Sequence, residues 1–319
     1  MASKKLFAAV IVTSLIALFH CGCARQADIA LRFIPDQTVT YKAASLLRKD
    51  YLFDQPSAGK KTEKSTEVAV EMTYDQRTVA LDRQDNATAD ITIKGLKYRS
   101  ENAGAVQVDF DSSKKVDPAS ALGKLIGQTY TIKVSPSGEV LQISDVGPAR
   151  DAAKTGPDAR FADDVLKDAA ITRRHQILAL PDQDKKTLKK GDQWSRITPS
   201  PKQTLIPKTY EKTYTVTDIT ADGTTATIQM NAAPTTKRPD AGPSDEADKL
   251  EAFAGMFDSQ DTYTGQLVID LKSGKVKSYS EKLISRYTAA QVPKDDEAAK
   301  QPDVLELGYT EESSIDAVD

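Results

Sequence analysis

Residues 67–98 read EVAVEMTYDQRTVALDRQDNATADITIKGLKY, and the fold turns on this stretch. Val68, Val70, Met72 and Tyr74 alternate with Glu67, Ala69, Glu71 and Thr73, the two-residue period of a strand with one buried face. Further on, Val79 and Leu81 are apolar, which implies a phase flip near Gln76. Ile91 and Ile93 flip likewise across Gly95 to Leu96 and Tyr98. With Asp85-Asn86-Ala87 as a three-residue turn, Leu81 faces Ile91, Val79 faces Ile93 and Tyr74 faces Tyr98. The two flips then meet in register. A slip by one residue would turn every side chain over, so the reading is a long hairpin bent by a bulge or glycine kink in both strands. A curved sheet requires that device.

The pattern occurs twice. Tyr214 and Val216 lead to Asp222-Gly223-Thr224, after which Ala226, Ile228 and Met230 alternate again. The turn beginning at Asp85 aligns with the one beginning at Asp222, Asn86 or Gly223 supplying the positive φ of such a loop. At nearly the same spacing, Ser137-Gly138-Glu139-Val140 aligns with Ser273-Gly274-Lys275-Val276, each after a strand that opens Thr-Tyr-Thr. Asp36-Gln37 and Asp192-Gln193 each lead into a strand. Helices are expected over Asp117–Ile126, Asp158–Leu178 and Ser244–Phe257. The second carries Phe161, Val165, Leu166, Ala169 and Ile177 as a stripe. Val146–Pro157, Thr198–Pro207, Pro234–Pro243 and Gln291–Pro302 read as loops, Leu305–Ile315 as the last strand, and the acidic tail as frayed.

The expected fold is therefore mainly β (β-rich α+β): two similar curved antiparallel sheets or half-barrels, related by internal duplication, with a few packing helices. The expected organisation is a leader at 1–22, an anchor and tether at 23–37, and a first β-rich half at 38–145. A helical connection at 146–190 and a second β-rich half at 191–319 follow.

The leader has the chemistry of export. Lys4 and Lys5 precede an apolar run from Leu6 to Phe19, and Cys21-Gly22-Cys23-Ala24 follows at once. A cysteine in this place reads as the acceptor of a lipid anchor. Cys23 has the small Gly22 before it, while the alternative, Cys21, follows the bulky His20. Plain secretion with cleavage after Ala24 is the other reading. The rest of the chain has no cysteine, so no disulfide scaffold exists. With 43 basic and 46 acidic side chains in 319 residues, no basic excess suits a nucleic-acid partner. The expected place is the bacterial cell envelope, outer membrane, facing the periplasm.

Candidate chemistry is sparse. His175 is the one histidine outside the leader, expected on a basic helix surface beside Arg173 and Arg174 in a solvated or capping role. No Gly-x-Ser-x-Gly turn is present. Zinc would have to be held by carboxylates, and the Asp82, Asp85, Asn86 and Asp90 cluster reads as turn chemistry rather than a calcium loop. No metal or cofactor is expected. Asp163-Asp164, Asp295-Asp296-Glu297 and Glu311-Glu312 are the acidic pairs a carboxylate-based hydrolase would use, a minor alternative to a solvated surface. Trp194 reads as a core anchor.

Gly127-Gln128-Thr129-Tyr130-Thr131-Ile132-Lys133-Val134-Ser135-Pro136-Ser137-Gly138-Glu139-Val140 and Lys190-Gly191-Asp192-Gln193-Trp194 together resemble the motifs of a family of uncharacterised bacterial envelope lipoproteins. The resemblance spans about Thr38 to Ile315 and implies an exported, β-rich, envelope-anchored protein with no established activity. The expected function is a non-catalytic, lipid-anchored envelope protein acting by binding or scaffolding, with an envelope protein as partner. The alternative is a periplasmic carrier of a lipid or other hydrophobic ligand in a curved-sheet cavity, with Val68, Val70, Met72, Tyr74 and Tyr98 as the residues facing it.

Overall fold

The computed structural model describes residues 26–182, 184, 187–201, 204, 206–237, 255–291 and 301–318. The leader, with Cys21 and Cys23, lies outside them, as do most of the helix expected over Ser244–Phe257 and the acidic run at Asp295.

The first half contains β1 (Gln26–Asp28), β2 (Thr38–Gln55), β3 (Lys60–Leu81), β4 (Ala87–Asn102), β5 (Ala105–Asp111), β6 (Thr129–Val134) and β7 (Val140–Ser144). The helices are α1 (Ala121–Lys124), α2 (Gly147–Ala153), α3 (Ala159–Leu166) and α4 (Asp168–His175). The remaining strands are β8 (Thr187–Lys189), β9 (Gln193–Pro199), β10 (Thr209–Ile219), β11 (Thr225–Pro234), β12 (Asp258–Asp270), β13 (Lys275–Ala290) and β14 (Val304–Val318).

The mainly β expectation holds, and the two halves are parts of one sheet. Twelve strands run antiparallel in the order β7-β6-β4-β3-β2-β14-β13-β12-β11-β10-β9, with β5 added on β4; β1 and β8 form a small second sheet. The order β7-β6-β4-β3-β2 recurs as β13-β12-β11-β10-β9, and β14 is inserted between the two runs. The large sheet is open, with β7 and β9 at its ends.

Irregularities repeat with the strands. Val79 bulges from β3 and Thr217 from the corresponding β10, while Leu141 bulges from β7 and Lys277 from the corresponding β13. Ahead of β2, Asp36 (φ 63) donates its N–H to Thr78 O, and Thr78 N–H donates to Gln37 O. Ahead of β9, Gly191 (φ 92) donates to Val216 O, and Val216 N–H donates to Asp192 O. The equivalent of Asp36 is thus Gly191, one position before the Asp192 that sequence similarity aligns with it. Bulges and left-handed residues are local faults that two unrelated meanders have no reason to share, so their matched positions support duplication.

The register of the first hairpin differs from the expected one. Tyr74 pairs with Ile93, Val70 with Tyr98 and Gln76 with Ile91. The turn closes through Asp82, whose N–H donates to Asn86 O, and the left-handed residue is Asp85 (φ 60), not Asn86. Asp82 shortens the loop because its carboxylate accepts from the backbone of Gln84 and Asn86 and from the Asn86 amide. The β4 kink is where expected: Lys94, beside Gly95, is the unpaired residue. On β3 the inward phase runs on through Thr78, and Val79 is the bulged residue, 43% exposed. The two faults therefore lie apart rather than facing.

The helical segment also departs from expectation. Asp117–Ile126 forms an α-helix only over Ala121–Lys124, capped by Ser120 Oγ, which accepts from Gly123 N–H at 3.0 Å. Val146–Pro157 is not all loop, since it contains α2. The long helix breaks at Lys167 (ψ 139) into α3 and α4. Arg150 holds the break by donating to Leu166 O at 2.7 Å and to Asp168 at 2.5 Å. Of the stripe, Phe161, Val165, Leu166 and Ile177 are buried, and Ala169 is exposed. The tail is not frayed: Asp316, Ala317 and Val318 pair with Lys42, Tyr41 and Thr40. One continuous core joins α1–α4, the first half and the second half.

Candidate functional site

The inner face of the sheet explains where the space lies. On β2 the inward residues are Tyr41, Ala43, Ser45 and Leu47, and on β14 they are Tyr309, Glu311, Ser313 and Ile315. One row across the sheet reads Tyr98, Val70, Ser45, Ser313 and Glu281. Small side chains therefore occupy the middle of the row, with bulk on either side. The helices α3 and α4 cross above and cannot fill the gap, leaving a cavity of about 320 Å³. Its floor is Ala43, Ser45 and Ser313, its walls are Leu47, Val68, Val70, Met72, Tyr98, Tyr279 and Ile315, and its roof includes Val165, Ala169 and Ala170. Burial pushes the Tyr98 hydroxyl up to about 12, so it stays neutral.

The opposite face has another chemistry. Glu71 pairs with Lys97 at 3.0 Å and with Lys42 at 3.2 Å, and Glu312 with Lys282 at 2.8 Å. These are solvated cross-strand pairs, so the sheet divides apolar from charged by its two-residue period.

At the mouth of the cavity sit Asp164, Lys167, Arg173, Arg174 and Glu311. Lys167 pairs with Asp164 at 2.5 Å, and Arg173 reaches from α4 to Glu311 on β14 at 2.9 Å. Tyr309 donates its hydroxyl to the same Glu311. Arg174 donates to Val165 O at 2.8 Å and to Tyr130 Oη at 3.2 Å.

His175 lies deeper and is not the solvated or capping group expected of it. It is 5% exposed, with its ring edge-on to Tyr74 at 4.7 Å between centroids. Burial, and then the nearby Arg174 charge, push its pKa well below the ordinary 6.5, so the ring is neutral. Tyr130 accepts from Arg174 and has its own proton to give to His175 Nε2, 2.8 Å away. The helix break at Lys167 is responsible, because α4 sets off in a new direction and presses its last turn onto β3 and β6.

Of the five residues expected to face a ligand, Val68, Val70, Met72 and Tyr98 line the cavity. Tyr74 is not in its lining; it is buried alongside, tilted against Tyr41 at 5.9 Å and against His175. Sequence reasoning missed Ala43, Ser45, Ser313 and Arg174. A strand whose inward positions run Tyr-Ala-Ser-Leu carried the signal, since small residues between large ones leave room. Glu311 and Glu312 point to opposite faces, one to Arg173 and one to Lys282, so the pair does not act across a cleft. Asp163 and Asp164 both pair with Lys167. Trp194 stacks on Tyr214 at 5.6 Å, as an anchor does.

The second half encloses a buried polar group. Lys212, 2% exposed, reaches Glu281 at 2.7 Å, and Tyr263 and Tyr279 donate to the same carboxylate at 2.8 and 2.6 Å. Lys212 Nζ also lies 4.4 Å from the centre of the Tyr263 ring. Every oxygen is satisfied, which is the condition for a buried ion pair to persist.

No family model matches the chain, and no curated protein matches its sequence. Two solved structures are similar to parts or all of it. A structure of lipovitellin, concerned with its lipid–protein interactions, has a TM-score of 0.48 at 9% identity, covering 90% of this chain and 26% of that one. DynF from the dynemicin biosynthesis pathway of Micromonospora chersina has a TM-score of 0.17 at 8% identity, covering 96% and 92%. This chain spans about a quarter of the lipovitellin chain. Neither likeness is close enough to bear on function.

Proposed function

We propose that the protein is a non-catalytic carrier that binds a hydrophobic or amphipathic small molecule between the inner face of its sheet and the α3–α4 roof. The observation that carries this reading is the cavity of about 320 Å³ over Ala43, Ser45 and Ser313. The cavity opens at its charged mouth, and its Val, Leu, Met and Tyr walls are in part only half-buried, so a hydrophobic ligand would cover apolar surface that the protein itself leaves uncovered. No comparable observation favours pure scaffolding. The export signal and Cys23 (or Cys21) support an exported protein held by a lipid anchor in the bacterial envelope, where such a carrier would face the periplasm.

The test is native mass spectrometry of the chain from Ala24 onward, purified from a bacterial periplasm without detergent. A discrete added mass of lipid size, lost on denaturation, is the expected result. A clean apo mass that stays apo after incubation with envelope lipids refutes the proposal.

A further inference from the structure

We infer that the ligand is an anionic, single-chain amphiphile whose acid group rests on Arg174 and whose chain lies along Val68, Val70 and Met72. This deepens the carrier reading and rests on it.

Three cations stand at the cavity: Lys167, Arg173 and Arg174. Two are matched by carboxylates of the protein, Asp164 and Glu311. Arg174 is not: among the described residues no carboxylate lies within ion-pair distance of it. Its two hydrogen bonds go to a neutral carbonyl, Val165 O, and a neutral hydroxyl, Tyr130 Oη. A guanidinium has five N–H donors in a planar fork, so most of its donor capacity is left over. Arg174 is also half-buried. A cation withdrawn from water without a counter-ion is unfavourable, and a carboxylate or phosphate would supply the missing charge with two parallel hydrogen bonds.

The surroundings hold this charge in place. Val165 O anchors one nitrogen to the end of α3, and Tyr130, itself bonded to His175, anchors the other to β6. The fork is pre-organised before any ligand arrives, which lowers the ordering cost of binding. The rest of the lining sets the other end of the ligand. Val68, Val70 and Met72 offer no hydrogen bond, so a flexible apolar chain suits them. The volume stands at the small end of the range of about 300–1,000 Å³ for ligand sites, which favours one chain over two.

The experiment compares three probes of equal chain length on the chain from Ala24 onward: hexadecanoate, hexadecyl phosphate and hexadecanol. Affinities are measured by calorimetry on protein freed of bound lipid. At least one acid is expected to bind ten-fold or more tightly than the alcohol, and whichever acid is tighter identifies the head group. Arg174→Gln is expected to bring the acids down to the level of hexadecanol without changing hexadecanol itself, and Arg174→Lys to restore part of the difference. Equal binding of acids and alcohol by the unaltered protein overturns the head-group assignment and leaves the carrier reading standing. Failure of all three to bind overturns both. Since Arg174 also ties α4 to α3, a variant that does not fold leaves the decision to the unaltered protein, where the acid-to-alcohol ratio alone decides.

Discussion

Replacing Ser45 by leucine tests whether the space above the sheet is real, because the sign of the effect depends on it. Ser45 faces the cavity from β2, between Val70 on β3 and Ser313 on β14, in the middle of the floor. Leucine puts three carbons where serine has one oxygen. Lying against the apolar walls of this cavity of about 320 Å³, they gain at most about 0.8 kcal/mol for each buried CH2, or up to about 2 kcal/mol in all. For a chain of this size about 1 kcal/mol moves Tm by about 2–4 °C, so Tm is expected to rise, by up to about 4–8 °C. If the helices instead packed onto the floor, the same leucine would be overpacked and cost about 1–3 kcal/mol. Differential scanning calorimetry of lipid-free protein reads the sign, and calorimetric titration with hexadecanoate reads the second consequence, loss of binding. A lowered Tm, or a raised Tm with binding intact, refutes the reasoning that this space is the ligand site.

Three further outcomes follow from named contacts. Lys212→Met leaves the Glu281 carboxylate buried without its cation, so urea unfolding is expected to show a loss of about 3–5 kcal/mol, part of it recovered when Glu281→Gln is added, which removes the carboxylate but keeps an oxygen to accept from a tyrosine hydroxyl. A double variant as unstable as the single one contradicts that account. Asp158→Ala removes the carboxylate that accepts from Ser120 Oγ and from Ala121 N–H at the start of α1, a loss of about 1.5–3 kcal/mol; an unchanged urea midpoint speaks against it. His175 is neutral in the folded protein well below pH 6.5, whereas the unfolded chain takes up a proton there. The folded pKa is the depressed one, so its contribution is complete above pH 6.5 and declines as pH falls below it, by up to about 1.4 kcal/mol per pH unit. His175→Gln should flatten that part of the stability profile, and an unaltered slope removes His175 as its source.

The parts of the fold legible in the sequence were those decided by local pattern. Alternation along β4 and along β3 as far as Tyr74, the kink beside Gly95, and the Ser-Gly turns at Gly138 and Gly274 stand as read, whereas the phase flip expected near Gln76 does not occur. Register was not legible, because it depended on how Asp82 closes the turn: its carboxylate collects the backbone of Gln84 and Asn86, and the loop tightens around it. The helix break at Lys167 was hidden for a similar reason. Nothing in residues 158–178 forbids a continuous helix; Arg150, far along the chain, holds the two ends apart. His175 was misplaced as a consequence, since only the redirected α4 brings it between Tyr74 and Tyr130. For the site, the large apolar residues were visible and the small ones were not. A cavity is made by what is missing, and Ala43, Ser45 and Ser313 look ordinary until the strands beside them are known.

The duplication bears on why the roofed cavity lies where the first half meets β13 and β14. Counting back from the matched bulges Val79 and Thr217, Met72 corresponds to Tyr210, Tyr74 to Lys212 and Gln76 to Tyr214. In the second half these positions hold two tyrosine rings and a lysine paired to Glu281, with Tyr263 and Tyr279 closing around it. The inner face there is filled by its own side chains. In the first half the corresponding positions hold a thioether, one tyrosine ring and an amide, and α1–α4 cover that face. A roof carried on separate helices cannot interlock with a sheet as side chains of neighbouring strands do, so residual space is expected under it. The roof also adds Arg173, latched to Glu311 on β14, and beside it Arg174, with no carboxylate partner among the described residues. Two copies of one meander have thus met the same packing problem in different ways: one fills its face with its own rings and a buried ion pair, and the other takes a cover of helices that brings Arg174 to the mouth of the roofed cavity.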